Sequence, residues 1–414
     1  GLLFNKIYEL SYTNNNKELF GENCFFSIII LIPISILINF FFPINYFTSI
    51  IIFGFGIIAF FSQINLLKNK ANLSYILLFF LLVSPYFILV THHDDFYYYH
   101  LPYLNILEYS KIIFGLANLN TVLVYPQNLW FNVFALFRLP LVDYNGIQAL
   151  NGIFTIAFIL FCFEVFLNSD LKKIKIISLT FIVFVFSIFS RLKDHGAEII
   201  PQLIMLMIFL YSFIVLFDEK INKKKTLVKI SILLIISLLL RLSSVIIIPF
   251  LILIFVINFN TIIQIVKKIK FTSLIILIVL LVLTKNVINS GCLIYPLSVS
   301  CFSQNKISWS IDKEIPKINE NVILSYTRGW MIYAKENIKD SSKFVFNPKE
   351  NILTHSEYLS NGIKFWIKYW IKDPDIKRLL NILYIGSFIL LILLINNLKK
   401  FNEENLSKNL KLNI

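Results

Sequence analysis

Thr91-His92-His93-Asp94-Asp95-Phe96-Tyr97-Tyr98-Tyr99-His100-Leu101-Pro102-Tyr103 sets two adjacent carboxylates among three histidines, directly after a long apolar run. At the edge of a membrane such groups are costly, and burying them would perturb their protonation or demand a cation partner. A helix starting near Tyr97 needs only one carboxylate as its cap. The second acid and the imidazoles therefore point to chemistry. Neighbouring side chains diverge, so Asp94 and Asp95 would divide the work: one accepts a proton or ligates a divalent ion while the other orients it. His100 joins them as a catalytic candidate and His93 as a substrate-binding one. Four ligands at zinc spacing are not visible. Tyr97, Tyr98, Tyr99 and Tyr103 read as the amphipathic rings of a headgroup layer.

A second charged group follows in Ser190-Arg191-Leu192-Lys193-Asp194-His195-Gly196-Ala197-Glu198. Arg191 and Lys193 could hold a phosphate, Asp194 and Glu198 could act on an acceptor or bind a cation, and His195 could donate to an oxyanion. The alternative is a hydrophilic turn that keeps two helix ends wet. Arg241, in Leu240-Arg241-Leu242-Ser243-Ser244, and Lys285 stand at the ends of apolar runs, where each meets either a phosphate or carboxylate partner or snorkels to headgroups. Arg328 is a further phosphate-binding candidate in a later polar stretch.

The elements that must position these groups are membrane helices. Hydrophobic residues make up 57% of the 414-residue chain, charged residues 15%, and mean hydropathy is +0.75. That excludes disordered, collagenous, coiled-coil and disulfide-stapled secreted classes. Runs long enough to cross about 30 Å of hydrocarbon predict an all-α polytopic bundle of about ten spans: Phe25 to Phe42, Phe47 to Leu67, Leu73 to Val90, Gly146 to Leu167, Ile174 to Ser190, Ala197 to Phe217, Thr226 to Leu240, Ser243 to Asn258, Phe271 to Ile288 and Leu380 to Ile395. The pair between Thr226 and Asn258 also reads as one broken helix. Under this count the lysines near 68–70, 172–175, 220–225, 267–270 and 399–400 share one side, the cytoplasmic one by the positive-inside rule. Parity holds only if Thr121 to Val142 lies as an interfacial helix against the outer leaflet, as its prolines, asparagines and Arg138 suggest.

This gives an N-terminal cytoplasmic segment (1–22), a transmembrane bundle (23–289) with a first outer loop (91–145), an outer segment (290–378), and a last span with a cytoplasmic tail (379–414). The outer segment would form a small helical cap, with Trp366, Tyr369 and Trp370 anchoring an amphipathic helix at the interface. The expected location is a bacterial cytoplasmic membrane, with both termini inside and the site on the outer face. Net charge is +14, and loop lysines account for it without a nucleic-acid partner. Residue 1 is Gly rather than Met, as expected of a fragment or a processed start.

An acidic pair at the outer end of an early span, followed by Tyr99-His100-Leu101-Pro102, resembles the first outer loop of the GT-C superfamily of polytopic glycosyltransferases. Gly115-Leu116-Ala117-Asn118-Leu119-Asn120, Asn145-Gly146 to Asn151-Gly152, and Asn289-Ser290-Gly291-Cys292-Leu293-Ile294-Tyr295-Pro296 are similar to stretches in a group of bacterial membrane proteins within or near that superfamily. The resemblance implies inverting transfer of a sugar from a polyprenyl-phosphate donor to a glycan or lipid-linked acceptor. Asp94 or Asp95 would then be the base, and a divalent cation, Mg or Mn, could sit among Asp94, Asp95 and Glu198. A polysaccharide polymerase and a lipid-linked oligosaccharide transporter are the rival classes. The outer segment has few arginines for the first, and the polar groups lie at span ends rather than at mid-depth for the second. No Gly-rich phosphate loop and no Ser-His-Asp order appears. Cys292 and Cys301 could pair if that face is oxidising.

Overall fold

The computed structural model describes residues 19–61, 73–74, 77–78, 80–82, 84, 96–138, 149–187, 197, 199–337, 352–373 and 377. Asp94, Asp95, His93, Arg191, Lys193, Asp194, His195 and Glu198 lie outside the described residues, as does the run Leu380 to Ile395. The described chain is helical, and its one β-type pairing is the isolated bridge between Cys292 and Cys301.

Two units are present: residues 1–295 with 299–312, and residues 296–298 with 313–414. The first unit holds α1 (Phe20–Phe41), α2 (Tyr46–Phe61), α3 (Leu101–Tyr109), α4 (Asn128–Leu136), α5 (Ala149–Asn168), α6 (Lys172–Ser187), α7 (Ile199–Phe217), α8 (Lys223–Leu240), α9 (Ile248–Ile257), α10 (Phe259–Val266) and α11 (Ile269–Ser290). α1 is its axis. It packs on α5 through Phe25, whose ring stacks on Phe154 at 4.3 Å, and closely enough that a Cβ on Gly21 would stand 2.3 Å from the Phe161 backbone nitrogen. Only glycine permits that approach.

The expectation of about ten spans is not met. Among the described residues four helices are long and apolar enough to cross a membrane, Phe20–Phe41, Leu150–Asn168, Ile199–Phe217 and Ile269–Ser290, or five if a bent pair counts as one span. These helices mark a membrane protein. The shortfall has physical causes. α2 and α6 have 16 described residues each, about 24 Å of helix against about 30 Å of hydrocarbon. α8 carries Lys223, Lys224, Lys225 and Lys229. The pair Leu242–Ile257 and Phe259–Val266 bends by 96° at Asn258. At Arg241 the backbone turns extended, φ −153° and ψ 118°, before a 3-10 run over Leu242–Ile247, and Ser237 Oγ donates to Ser244 Oγ at 2.8 Å across the break.

The segment Thr121 to Val142 is a second correction. Its helix, α4, does not lie on lipid: all nine residues of Asn128–Leu136 are buried. It packs on α1, α2 and α3.

The second unit holds α12 (Glu314–Thr327), α13 (Trp330–Asn337), α14 (His355–Ser360) and α15 (Ile363–Trp370) around buried Tyr333, Tyr358 and Tyr369. Thr354 and Glu357 form a reciprocal capping box at the start of α14.

Candidate functional site

Ile278, Val282, Lys285 and Asn289 of α11 are buried while Ile276, Leu277 and Leu280 are more than half exposed. The 4-3-4 spacing is one helical face, so Lys285 occupies an inward position and is only 4% exposed. Its Nζ donates to Asn132 Oδ1 at 2.8 Å and to Tyr103 Oη at 2.9 Å, and Tyr103 donates to the same Asn132 oxygen at 2.9 Å. α3 supplies Tyr103 through its buried stripe Tyr103, Leu104 and Leu107, and α4 supplies Asn132. Burial raises the Tyr103 pKa above its ordinary range, so the phenol stays neutral and is no counter-charge for the lysine.

The cluster has donors in excess. An ammonium has three N–H groups, and Lys285 spends two on neutral oxygens; no carboxylate among the described residues pairs with it. The Asn132 amide nitrogen and the Asn289 side-chain oxygen are buried without hydrogen-bond partners among the described residues. A small cavity of about 10 Å³, lined in part by Asn39, Tyr103, Ser110, Lys111 and Asn289, adjoins the cluster. His100 is buried nearby. It is three residues before Tyr103 and stacks on Phe131, the neighbour of Asn132, with ring centroids 4.1 Å apart.

Of the segments that carry the resemblance, the 115–120 and 289–296 stretches meet near the end of α11, and the visible work of the described residues is structural. Gly115 N donates to Ile288 O at 2.9 Å, Asn118 Nδ2 to Trp309 O at 2.9 Å, and Trp309 Nε1 to Val287 O at 3.1 Å. Asn151 accepts the Trp130 indole N–H at 2.8 Å. Cys292 and Cys301 form a disulfide. Gly291 ends α11 at φ +71°, where glycine is favoured and a Cβ would strike Ser310.

Of the other expected site residues, Arg241 marks the α8 break, and its expected partners Asp94, Asp95 and Glu198 lie outside the described residues. Arg328 belongs to the second unit, with its guanidinium 5.2 Å from the Trp366 ring centroid. Tyr369 is not an interfacial anchor: it is buried in that unit's core. Among the described residues no group of three or more His, Cys, Asp or Glu could hold a metal, and the expected ligand set Asp94, Asp95 and Glu198 lies outside them.

A second polar cluster escaped sequence reasoning. It sits where α1 and α8 begin and α5 and α7 end, beside the lysine-rich turns. Glu22 Oε1 accepts from Lys229 Nζ at 2.5 Å and from the Tyr211 hydroxyl, with both charged side chains 1% exposed. The Glu164 carboxylate accepts the backbone N–H groups of Phe20 and Gly21 at 2.9 Å each, capping α1 with negative charge where its dipole is positive. Lone Glu164 and Lys229 inside apolar runs were the available signal, because an ionisable residue in a span is rarely idle.

The chain matches the family described as Domain of unknown function (DUF8201) over residues 1–410. It belongs to that family. No curated protein and no solved structure matches it. Within this DUF8201 chain the two clusters differ in charge balance: the Glu22 end is an ion pair, whereas at the other end Lys285 has neutral company.

Proposed function

We propose that this DUF8201 protein is a membrane glycosyltransferase that moves a sugar from a polyprenyl-phosphate donor to a cell-surface glycan or glycoconjugate acceptor. It would act on the outer face of a bacterial cytoplasmic membrane, within a bundle of more spans than the four or five described helices provide. One observation supports this reading above the others: buried Lys285 and the unused amide donor on Asn132 gather N–H groups beside the cavity that Tyr103 and Asn289 line, a grouping that suits an anion. The burial of Lys285 disfavours snorkelling. The cluster lies at the end of α11 away from Lys267, Lys268 and Lys270, the side on which the site is expected.

In this reading the acceptor hydroxyl oxygen attacks the anomeric carbon and the sugar–phosphate C–O bond breaks. Polyprenyl phosphate leaves with the electron pair, and Asp94 or Asp95 takes the hydroxyl proton. Lys285 steadies the phosphate, with Arg241 and the Arg191–Lys193 turn as further candidates. His100, stacked on Phe131, holds the segment that carries Asn132. A divalent ion, Mg or Mn, held by Asp94, Asp95 and Glu198 belongs to the same proposal.

The test is to incubate membranes containing the full chain with radiolabelled polyprenyl-phosphate sugars and follow label into extractable glycan. Transfer that disappears in Asp94→Asn with Asp95→Asn, while the protein stays folded, supports the assignment. Parental transfer in that folded variant would end it.

A further inference from the structure

α15 is amphipathic in an unusual sense: it buries one face and leaves two different faces outside. Phe365 and Tyr369 turn into the second unit, where the Tyr369 ring lies 5.3 Å from Tyr333 and 5.7 Å from Phe365. On the open side Ile363, Ile367 and Ile371 are 64%, 38% and 46% exposed. Their i, i+4, i+8 spacing lines them up as a stripe about 12 Å long. Beside it runs a second row at the same spacing, Lys364, Lys368 and Lys372, all exposed. Lys368 Nζ stands 5.1 and 4.8 Å from the Phe365 and Tyr369 ring centroids, and Lys372 pairs with Glu336 at 2.8 Å.

Three isoleucines held in water are unfavourable, and a water-facing helix has no reason to align them. A flanking row of cations is the pattern of a helix lying in the plane of a bilayer, apolar side down and lysines at the phosphates. The chain supplies a tether. The apolar run Leu380 to Ile395 begins nine residues after Ile371, and nine residues span at most about 32 Å fully extended. If that run enters the membrane, α15 cannot leave its neighbourhood.

We infer that the second unit docks onto an anionic bilayer surface through α15, with Ile363, Ile367 and Ile371 in the headgroup–acyl boundary and Lys364, Lys368 and Lys372 among the phosphates. This surface is independent of the proposed sugar transfer.

Nitroxide labels report the depth directly. Ile367→Cys is made in the full chain carrying Cys24→Ser and Cys162→Ala, with the disulfide kept, and the labelled protein is reconstituted into phosphatidylcholine–phosphatidylglycerol vesicles. Ile363→Cys provides a second label on the stripe, and Ser356→Cys an exposed reference on α14. Docking predicts that labels at 363 and 367 relax more strongly with oxygen than with a water-soluble nickel chelate, the reverse holding at 356. It also predicts that the stripe labels move toward the aqueous reagent in vesicles of phosphatidylcholine alone. Stronger relaxation by the nickel chelate at 363 and 367 overturns the inference, and so does protection from both reagents, which would mean that protein covers the face. An unchanged depth in neutral vesicles overturns the role given to the lysines.

Discussion

Replacing Lys285 by Met separates a functional cation from a structural one. The side chains are of similar length, so the cavity left is small and a volume-conserving change costs less than about 1.5 kcal/mol. The Tyr103–Asn132 hydrogen bond, 2.9 Å long, survives. The ammonium loses two hydrogen bonds to neutral oxygens, but burying a cation without a counter-charge carries a penalty of several kcal/mol that disappears with it. Lys285→Met should therefore leave stability within about 1.5 kcal/mol of the parent or raise it. Binding of a phosphate moves the other way. A charge-assisted hydrogen bond contributes about 1.5–3 kcal/mol, so affinity for polyprenyl phosphate should fall about 10- to 150-fold. Thermal unfolding in detergent reads the first quantity, and product inhibition of transfer by polyprenyl phosphate reads the second. A variant that unfolds several kcal/mol more easily while binding phosphate as the parent does would refute the argument and make Lys285 a structural residue.

The remaining predictions concern charge, covalent closure and pH. At the Glu22–Lys229 pair, 1% exposed on both sides, Lys229→Met alone should cost about 3–5 kcal/mol because it strands a buried carboxylate; Glu22→Gln with Lys229→Met should cost much less, and chemical denaturation of the two variants compares them. The Cys292–Cys301 disulfide closes a loop at a sequence separation of 9, for which chain entropy gives about 2.7 kcal/mol; reductant should lower the Tm of the parent and leave that of a Cys292→Ser, Cys301→Ser variant unmoved. His355, its Nδ1 2.7 Å from Ser325 Oγ and its ring 4.1 Å from that of Trp330, has its pKa lowered by burial. Folded and unfolded states are both neutral there above the ordinary value of about 6.5; as pH falls below it the unfolded state takes the proton first, so stability drops until the folded value is passed. His355→Gln should flatten that part of the stability profile, and an identical profile would remove His355 as its cause.

Legibility in the sequence followed how far each signal depends on distant contacts. The Ile278, Val282, Lys285, Asn289 face is a local pattern, and Lys285 was a candidate from its place near the end of an apolar run. Tyr103 was not, because a tyrosine near a membrane boundary is satisfied as an interfacial ring, and only its contact with a lysine 182 residues away gives it another role. Asn132 hid inside Asn128–Leu136, whose nine buried residues show no periodicity from which to tell protein from lipid. Glu164 and Lys229 passed unnoticed inside apolar runs, and the Lys229 partner is 207 residues away; pairing across that distance leaves no trace in a single chain. The span count failed for a related reason: hydropathy measures composition, while the 96° bend at Asn258 and the extended break at Arg241 are set by packing.

The contrast between the two clusters leads to a last measurement. At one end of the bundle Glu22 and Lys229 neutralise each other and Glu164 caps α1, so burial is compensated by the chain itself. At the other end Lys285 has neutral partners, and the candidate counter-charges are a phosphate from outside and Asp94 or Asp95. These two sources differ in their energetic coupling. If a carboxylate of the acidic pair balances the lysine, Asp94→Asn with Asp95→Asn strands the ammonium, and adding Lys285→Met relieves it; the stabilities then couple by more than about 0.5 kcal/mol, beyond what independent sites show. If the balancing charge is a bound phosphate, the changes add within that margin in ligand-free protein, and phosphate-dependent stabilisation is lost with Lys285 while Asn replacements leave it in place. Additive stabilities together with no phosphate-dependent stabilisation of the parent would remove both sources, and with them the anion-binding role assigned to this end of the bundle.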